Sequence, residues 1–351
     1  MLPTALPMTM PEFLARFASE AGCRAHLFSL RWPKGFRCRT CGGAACYLLE
    51  ARTHVYQCRA CGTQNSLLAG TIFEQTKSPL TKWFLAFHLF LSSKGGISAL
   101  ELKRQLGFGS DQTAWTWLHK IRRALDARDT PLDGVVEVGT TDIGGPKPET
   151  PPDHAAAGGT PVAGAVERRT REVAAPDPER FSGIVRTLAE RVAQRLAAAG
   201  VDAIQRSCLG RARLAVLPDA SPKSLEDFIE SAIAADATTI GDSRNGHSGR
   251  AGPAQPGRRD ESIDMPTTAD EPSEYLPAAH LVFTLVKRVL LGTYHGGIGA
   301  RHLPAYLDEY VFRFDRRDRA PTLRTCAAIA RAVATPPWRN HNILGRSDAP
   351  S

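Results

Sequence analysis

Residues 38–66 read CRTCGGAACYLLEARTHVYQCRACGTQNS, in which Cys38-x2-Cys41 and Cys58-x2-Cys61 are separated by 16 residues. No other stretch of the chain restricts its fold so tightly. A Cys-x2-Cys pair on a tight turn aims two thiolates at one point, and four thiolates satisfy a tetrahedral zinc ion. The intervening CYLLEARTHVYQC alternates like a hairpin, so its return brings the second pair beside the first. In so small a module, metal binding supplies much of the folding free energy. The expectation is a zinc ribbon over residues 36–77 with Cys38, Cys41, Cys58 and Cys61 as ligands of a structural Zn2+. A thioredoxin-like redox pair is the competing reading of such a motif. Cys46 and Cys23 fall outside the spacing and read as ordinary thiols.

The 351 residues suffice for two or three domains, and no apolar run is long enough to cross a membrane. The first residues, MLPTALPMTMPEFLARF, lack the pattern of a secretory signal, so the expected location is cytoplasmic. The net charge of +8 is unevenly placed: residues 1–126 hold 16 Lys and Arg against 7 Asp and Glu, while the remainder is balanced at 28 against 29. A basic front third points to a polyanion, most simply nucleic acid.

Downstream of the ribbon, Ser78-Pro79 opens a helix with Leu80, Trp83, Phe84, Phe87 and Leu91 at a period near 3.6. Gly95-Gly96 ends it. Ser98 caps a second helix, Gly107-Phe108-Gly109 makes a turn, and Ser110 caps a third helix from about Asp111 to Asp126. That order matches a helix-turn-helix, placed at 78–130. On the third helix Gln112, Thr113 and Thr116 suit base edges, and Lys120, Arg122 and Arg123 suit phosphates. Trp117 reads as core. A helical bundle with a solvated basic face is the alternative.

GVVEVGTTDIGG (134–145) reads as a short buried strand running into a glycine turn. Residues 170–209 include an amphipathic stripe of Phe181, Ile184, Val185, Leu188, Val192 and Leu196, expected as a helix within an insertion. Residues 145–161 and 243–274 lack apolar periodicity and read as loops, the second flexible. A last apolar helix is expected near LRTCAAIARAVA, followed by a polar tail.

With these pieces in place, the sequence resembles the bacterial insertion-sequence transposases that join a zinc ribbon, a helix-turn-helix and an RNase H-like domain of the DDE superfamily. The likeness covers residues 10–168, about 210–247 and about 273–317. It is carried by GTIFEQTKSPLTKWFLAFHLF, GVVEV with its following GG, VAGAVERR, RARLAVLPDAS and HLVFTLVKRVLLGTYHGGIGARHLPAYLDEYVFRFDRR. It implies an α+β multidomain protein. A helical lead (1–35), the ribbon and the helix-turn-helix precede an RNase H-like mixed sheet with flanking helices (131–320), and a C-terminal helix and tail (321–351) end it.

The resemblance also implies DNA as partner, with element terminal inverted repeats as target and a homo-oligomer assembled on it. It implies acidic ligands for catalytic Mg2+ during strand cleavage and transfer. Carried over by position, the first aspartate falls on Gly139, where relatives read Val-Glu-Val-Asp-Glu-Thr; neither Glu137 nor Asp142 replaces it convincingly. The second falls on Asp242. The third, often Asn two residues before a lysine, falls on Leu285, with Lys287 retained and His280 a substitute ligand on nearly the same helical face. Lys287, Arg288, Tyr294 and His295 form a polar group suited to a DNA backbone. Two of three metal positions therefore lack a ligand, and the expectation is an impaired transposase. The alternative is a catalytically inactive, transposase-derived DNA-binding protein or regulator.

Overall fold

The computed structural model describes residues 9–125, 130–144, 159–174, 177, 179, 182–198, 203–242, 259–263, 276–295 and 298–337. The chain divides into two compact units: Met1–Ala127 with Val286–Ser351, and Arg128–Leu285.

The first unit opens with α1 (Met10–Phe17) and α2 (Glu20–Arg31). Thr9 caps α1 reciprocally with Glu12, and the Ser19 hydroxyl caps α2 by accepting from Gly22 N, so both starts are written locally. Three short strands follow, β1 (Cys46–Leu48), β2 (Val55–Cys58) and β3 (Gln64–Ser66), paired antiparallel in that order. The apolar α3 (Leu80–Ser92) buries Trp83, Phe84, Phe87, Phe90 and Leu91. Each such side chain contributes about 2–3 kcal/mol on burial. Then come α4 (Ala99–Leu106) and α5 (Asp111–Arg123). Gly107, at φ +62°, ends α4 in the left-handed region where a side chain would be strained, and the Ser110 hydroxyl accepts from Thr113 N to start α5. Trp83 of α3 stacks on Trp117 of α5, centroids 3.6 Å apart and planes 7° off parallel. Both lie in the core, as expected.

The second unit is a five-stranded sheet. Its elements are β4 (Val135–Ile143), β5 (Thr160–Ala174), α6 (Gly183–Ala198), β6 (Ala203–Val216), α7 (Pro222–Ala232), β7 (Thr238–Asp242), β8 (Arg259–Ile263) and the start of α8 (Pro277–Tyr294). Strand order is β6-β5-β4-β7-β8. The β4·β5 and β5·β6 steps are antiparallel, and the β4·β7 and β7·β8 steps parallel. This is the mixed, RNase H-like order expected. A parallel neighbour needs a crossover; α7 supplies it, laying Leu225, Phe228 and Ile229 on Val136, Val138, Ala163 and Ala165. The opposite face of β4 carries Glu137 and Gly139.

From Val286 the chain belongs to the first unit again, through the rest of α8, then α9 (Leu303–Asp315) and α10 (Pro321–Ala334). The expected boundary at 320 therefore differs from the compact units. Phe312 of α9 and Ala328, Ile329 and Ala332 of α10 join the core built on α3, contacts that no local pattern announces.

Two expectations need correction. Residues 170–209 are not simply an insertion around a helix: Thr170↔Ser207 through Ala174↔Ala203 continue the β5·β6 ladder, and α6 joins its ends. Ile184, Val185, Leu188 and Val192 lie on α6 as the periodicity requires and are exposed; Phe181 lies outside the described residues. Within the stretch read as a flexible loop, Arg259–Ile263 forms β8, parallel to β7 from Thr238↔Arg259 to Asp242↔Ile263. A polar strand pairs through its backbone and gives no apolar period to read. The rest of 243–274, and residues 145–158, lie outside the described residues. Among the described residues no helix is long and apolar enough to cross a membrane.

Candidate metal and nucleic-acid sites

The four cysteines of the ribbon converge. Two turns of the same design hold them: Gly42 N donates to Cys38 O (2.9 Å), and Gly62 N to Cys58 O (3.0 Å). Gly42 and Gly62 have φ of +72° and +73°. That conformation lets each turn close without a Cβ clash. All four Sγ atoms lie within 4.8 Å of one another. The Cys38–Cys61 and Cys41–Cys58 pairs are each 3.6 Å apart. A tetrahedron with Zn–S bonds of about 2.3 Å has edges of roughly 3.8 Å, so the donor set fits a structural zinc ion.

The surroundings suit thiolates. Backbone N–H groups of Cys41 and Thr40 hold the Cys38 thiol down to about 6. Asn65 Nδ2 donates to Cys38 Sγ at 3.7 Å while Asn65 Oδ1 accepts from Arg39 N at 3.2 Å. Such outer partners fix a ligand's direction. Phe28 and Trp32, from α2 and its end, pack with Phe36 and Tyr56 beneath the site. Helix α2 is therefore part of the ribbon's support.

On α5 the structure divides the residues expected to read DNA. Gln112, Thr113 and Arg123 are exposed, and Thr116 and Lys120 are half-buried. Burial lowers the pKa of Lys120. Arg122 needs correction, because it is fully buried and inaccessible to a phosphate. Its Nε donates to Glu309 Oε2 at 2.7 Å, its Nη2 to the Tyr294 hydroxyl at 3.2 Å, and its guanidinium lies 3.8 Å from the Tyr306 ring centroid. Arg313 pairs with the other Glu309 oxygen at 2.7 Å. Tyr294, expected at the DNA backbone, is held in this network, where its hydroxyl donates to Glu309 at 3.2 Å. Arg288 and His295 are exposed and Lys287 is half-buried.

The sheet tells a different story at the expected acidic centre. Val138↔Gly241 is a register pair of the parallel strands β4 and β7, so Gly139 and Asp242 stand at the next position on each. The Asp242 side chain lies outside the described residues. Gly139 pairs across β5 with Gly164, and the Phe283 ring of α8 lies over both. A Cβ at Gly139 would meet Phe283 Cε2 at 3.2 Å; one at Gly164 would meet the ring at 2.6 Å and Leu214 at 3.0 Å. Two facing glycines thus make a shallow seat for an aromatic ring where a first carboxylate is expected.

The neighbouring acids are committed elsewhere or face away. Glu137 is buried, and its Oε2 accepts from Ala278 N (2.7 Å) and Ala279 N (3.0 Å), capping the first turn of α8. Its Oε1 faces Arg168 Nε at 3.4 Å. Asp142 is exposed and, three residues from Gly139, projects from the other face. On α8, His280 is exposed and Leu285 half-buried. Lys287 falls within the first unit, whereas Asp242, His280 and Leu285 fall within the second. Among the described residues, the ribbon cysteines are the one group of three or more His, Cys, Asp or Glu whose ligand atoms converge. Nothing in the sequence points to Phe283, because a phenylalanine at a helical core spacing carries no signal of its own.

Residues 18–64 match the transposase zinc-ribbon domain family, and residues 131–315 match the ISXO2-like transposase domain family. The first match begins before the ribbon's cysteines and takes in α2, consistent with the packing of Phe28 and Trp32. An "Uncharacterized protein in transposable element ISH50" of Halobacterium salinarum is 29% identical over 125 residues, or 35% of this chain. That alignment spans 41% of the relative's own length. No solved structure matches the chain. With more than half of its residues inside the second of these matches, and a thiolate ribbon ahead of it, the chain belongs to the ISXO2-like transposase domain family.

Proposed function

We propose that this protein binds DNA as an insertion-sequence transposase of impaired strand-transfer capacity, in effect a DNA-binding transposase relative. The Phe283 ring seated on Gly139 and Gly164 carries the reading. A two-metal phosphoryl-transfer centre needs carboxylates directed at a shared cation. Glycine offers none, and Glu137 already accepts two backbone N–H groups and faces Arg168. The described residues around Gly139 therefore do not fit catalytic Mg2+, and no cleavage step is assigned to them. Asp242, one step along β7 from the partner of Val138, is the observation that favours the alternative of a working enzyme.

For DNA binding, the supporting features are the ribbon and the α4–α5 pair with its four-residue turn, read as a helix-turn-helix. Gln112, Thr113 and Thr116 would face base edges, and Lys120, Arg123 and Arg288 the phosphates. Arg122 instead holds Glu309 and Tyr294, and so fixes α5 within its unit. The expected partners are the terminal inverted repeats of a mobile element and further copies of the chain on that DNA. No membrane association is assigned.

The test uses the full chain and duplex DNA from the ends of the element carrying the gene. Binding is expected to fall at least about tenfold between 50 and 200 mM salt, as counterion release by several phosphate contacts requires. With Mg2+ or Mn2+ added, no joined product is expected. A joined product that disappears in Asp242→Ala would overturn the impairment. A salt-independent affinity would overturn phosphate contact by the basic front third.

A further inference from the structure

The four ribbon ligands leave a fifth thiol beside them. Cys46 lies on β1, outside both Cys-x2-Cys pairs, and is half-buried against the cluster of Phe36, Cys38 and Cys58. The strand register places Cys46 directly opposite Cys58. Arg59 N donates to Ala45 O at 3.0 Å, which closes the adjacent pair and makes Cys46·Cys58 a non-hydrogen-bonded pair. In such pairs the Cα atoms approach to about 4.5 Å and both side chains stand on one face. That separation falls within the range of about 4.4–6.8 Å that a disulfide spans. Neither Cys23 nor Cys326 has this relation to a ligand; both are buried away from the ribbon strands, in the helical core.

We propose that Cys46 and Cys58 form an oxidative modification site within the metal centre, with Cys46 as the resolving thiol for Cys58. This rests on the ribbon reading, because a metal ligand is a thiolate and a thiolate is what an oxidant attacks. The co-reactant is a hydroperoxide. The Cys58 sulfur attacks one peroxide oxygen; the S–O bond forms, the O–O bond breaks, and the other oxygen leaves as hydroxide and takes a proton. Cys58 is then a sulfenic acid. The Cys46 sulfur attacks the Cys58 sulfur and gives up its proton, so that the S–S bond forms, the S–O bond breaks and water leaves. Two thiols become one disulfide, and the peroxide is reduced to two waters (one alcohol and one water for an organic hydroperoxide).

The consequence is local and reversible. With Cys58 tied to Cys46, three thiolates remain, and the turn at Cys58–Gly62 loses its cation. A resolving thiol also stops oxidation at the disulfide, before the irreversible sulfinic acid. The rival partners for Cys58 are Cys41, whose Sγ lies 3.6 Å away, and Cys61 in the same turn. The antiparallel pairing favours Cys46, because Cys41 and Cys61 are themselves ligands of the cation whereas Cys46 is a thiol outside the ligand set.

The experiment treats the full, zinc-loaded chain with hydrogen peroxide and maps disulfides by peptide mass spectrometry, following released zinc with a chromophoric chelator. The wild type is expected to show a Cys46–Cys58 link, to lose zinc, and to regain it after a thiol reductant and added zinc. In Cys46→Ser the link is absent, sulfinic acid accumulates at Cys58, and recoverable zinc falls roughly threefold, since that oxidation state is not reversed by thiols. Cys46→Ala should behave alike; if neither variant folds, the wild-type map alone decides. A map dominated by any link among the four ligand cysteines, Cys41–Cys58 and Cys38–Cys61 included, or equal recovery in the variants, would overturn the assignment of Cys46. Zinc far below one per chain before any peroxide would overturn the ribbon reading instead.

Discussion

The ribbon and the sheet hold opposite lessons about what makes a metal site. In the ribbon, four Sγ atoms converge within 4.8 Å, and the hydrogen bonds around them support thiolates without occupying the space between. In the sheet, the acid beside the expected centre, Glu137, has one oxygen engaged, while the other, Oε1, is buried beside Arg168 with no hydrogen-bond partner among the described residues. Glu137 caps α8. Glu167, opposite Val136 and so on the α7 face away from Gly139, is buried and accepts from Arg211 N, Arg169 Nε and Asp133 N. Gly139 offers only a seat for Phe283. A carboxylate near an expected centre is thus no evidence of a ligand by itself; what distinguishes the ribbon is that its donor atoms converge on one point.

The largest effect that tests this contrast comes from metal removal. A strong chelator should unfold the ribbon, since structural zinc contributes about 10 kcal/mol or more to modules of this kind. In hydrogen exchange, amides of β1, β2 and β3 are expected to lose protection, while those of β4 and β5 keep theirs. Loss of protection in β4 as well would break the contrast, because it would mean that a divalent ion also holds the sheet.

A smaller effect tests the glycine seat. Gly164→Ala puts a Cβ 2.6 Å from the Phe283 ring and 3.0 Å from Leu214, so either the ring or the strand must move. Overpacking of this sort costs about 1–3 kcal/mol, and urea denaturation should show it. Gly139→Ala meets the ring only at 3.2 Å and should cost clearly less. A neutral Gly164→Ala would indicate a ring free to leave, and would reopen the position beside Asp242 to a cation.

What the sequence disclosed follows from how far each interaction reaches along the chain. The ribbon is local: its ligands lie within 24 residues, and their spacing alone names the geometry. The caps at Ser98 and Ser110 and the glycine at 107 are local too, which is why α4 and α5 start where expected. The strand of GVVEVGTTDI was legible from its β-branched run. By contrast, Arg122 looked like a phosphate contact because its partner, Glu309, is 187 residues away. Glu137 looked like a near-miss ligand because the N–H groups it caps are 141 and 142 residues away. Position by family resemblance located Gly139, but only the β4·β5 register shows that it faces another glycine. Strand β8 escaped because backbone pairing leaves no mark in RDESI.

Acid separates the units by how they bury ionisable groups. Glu167 is buried with partners: burial raises its carboxyl, but the hydrogen bonds and charge of Arg211 and the N–H of Asp133 hold it at about 2. His26, in the first unit, is buried between aromatic rings with neither ring nitrogen hydrogen-bonded, and burial, with Arg16 adding to it, lowers it to about 4. The two make opposite demands on the proton. The unfolded chain binds a proton on His26 near pH 6.5 and the folded chain resists it, so stability from this residue falls as pH drops from about 6.5 to 4. Glu167 keeps its contribution until pH passes below its unfolded value near 4.5, and loses it toward 2. Between pH 7 and 5 the first unit should therefore weaken while the second holds. The His26 share of that loss is about 2 kcal/mol, and His26→Phe should remove it. His119, lowered to about 3 by burial, titrates with the same sign and leaves a remainder in the variant. Urea midpoints followed through Trp83 and Trp117 report the first unit, and hydrogen exchange of β4 and β5 reports the second. A β4 that loses protection as early as the tryptophan signal would show that pairing of buried charge does not distinguish the two units in acid.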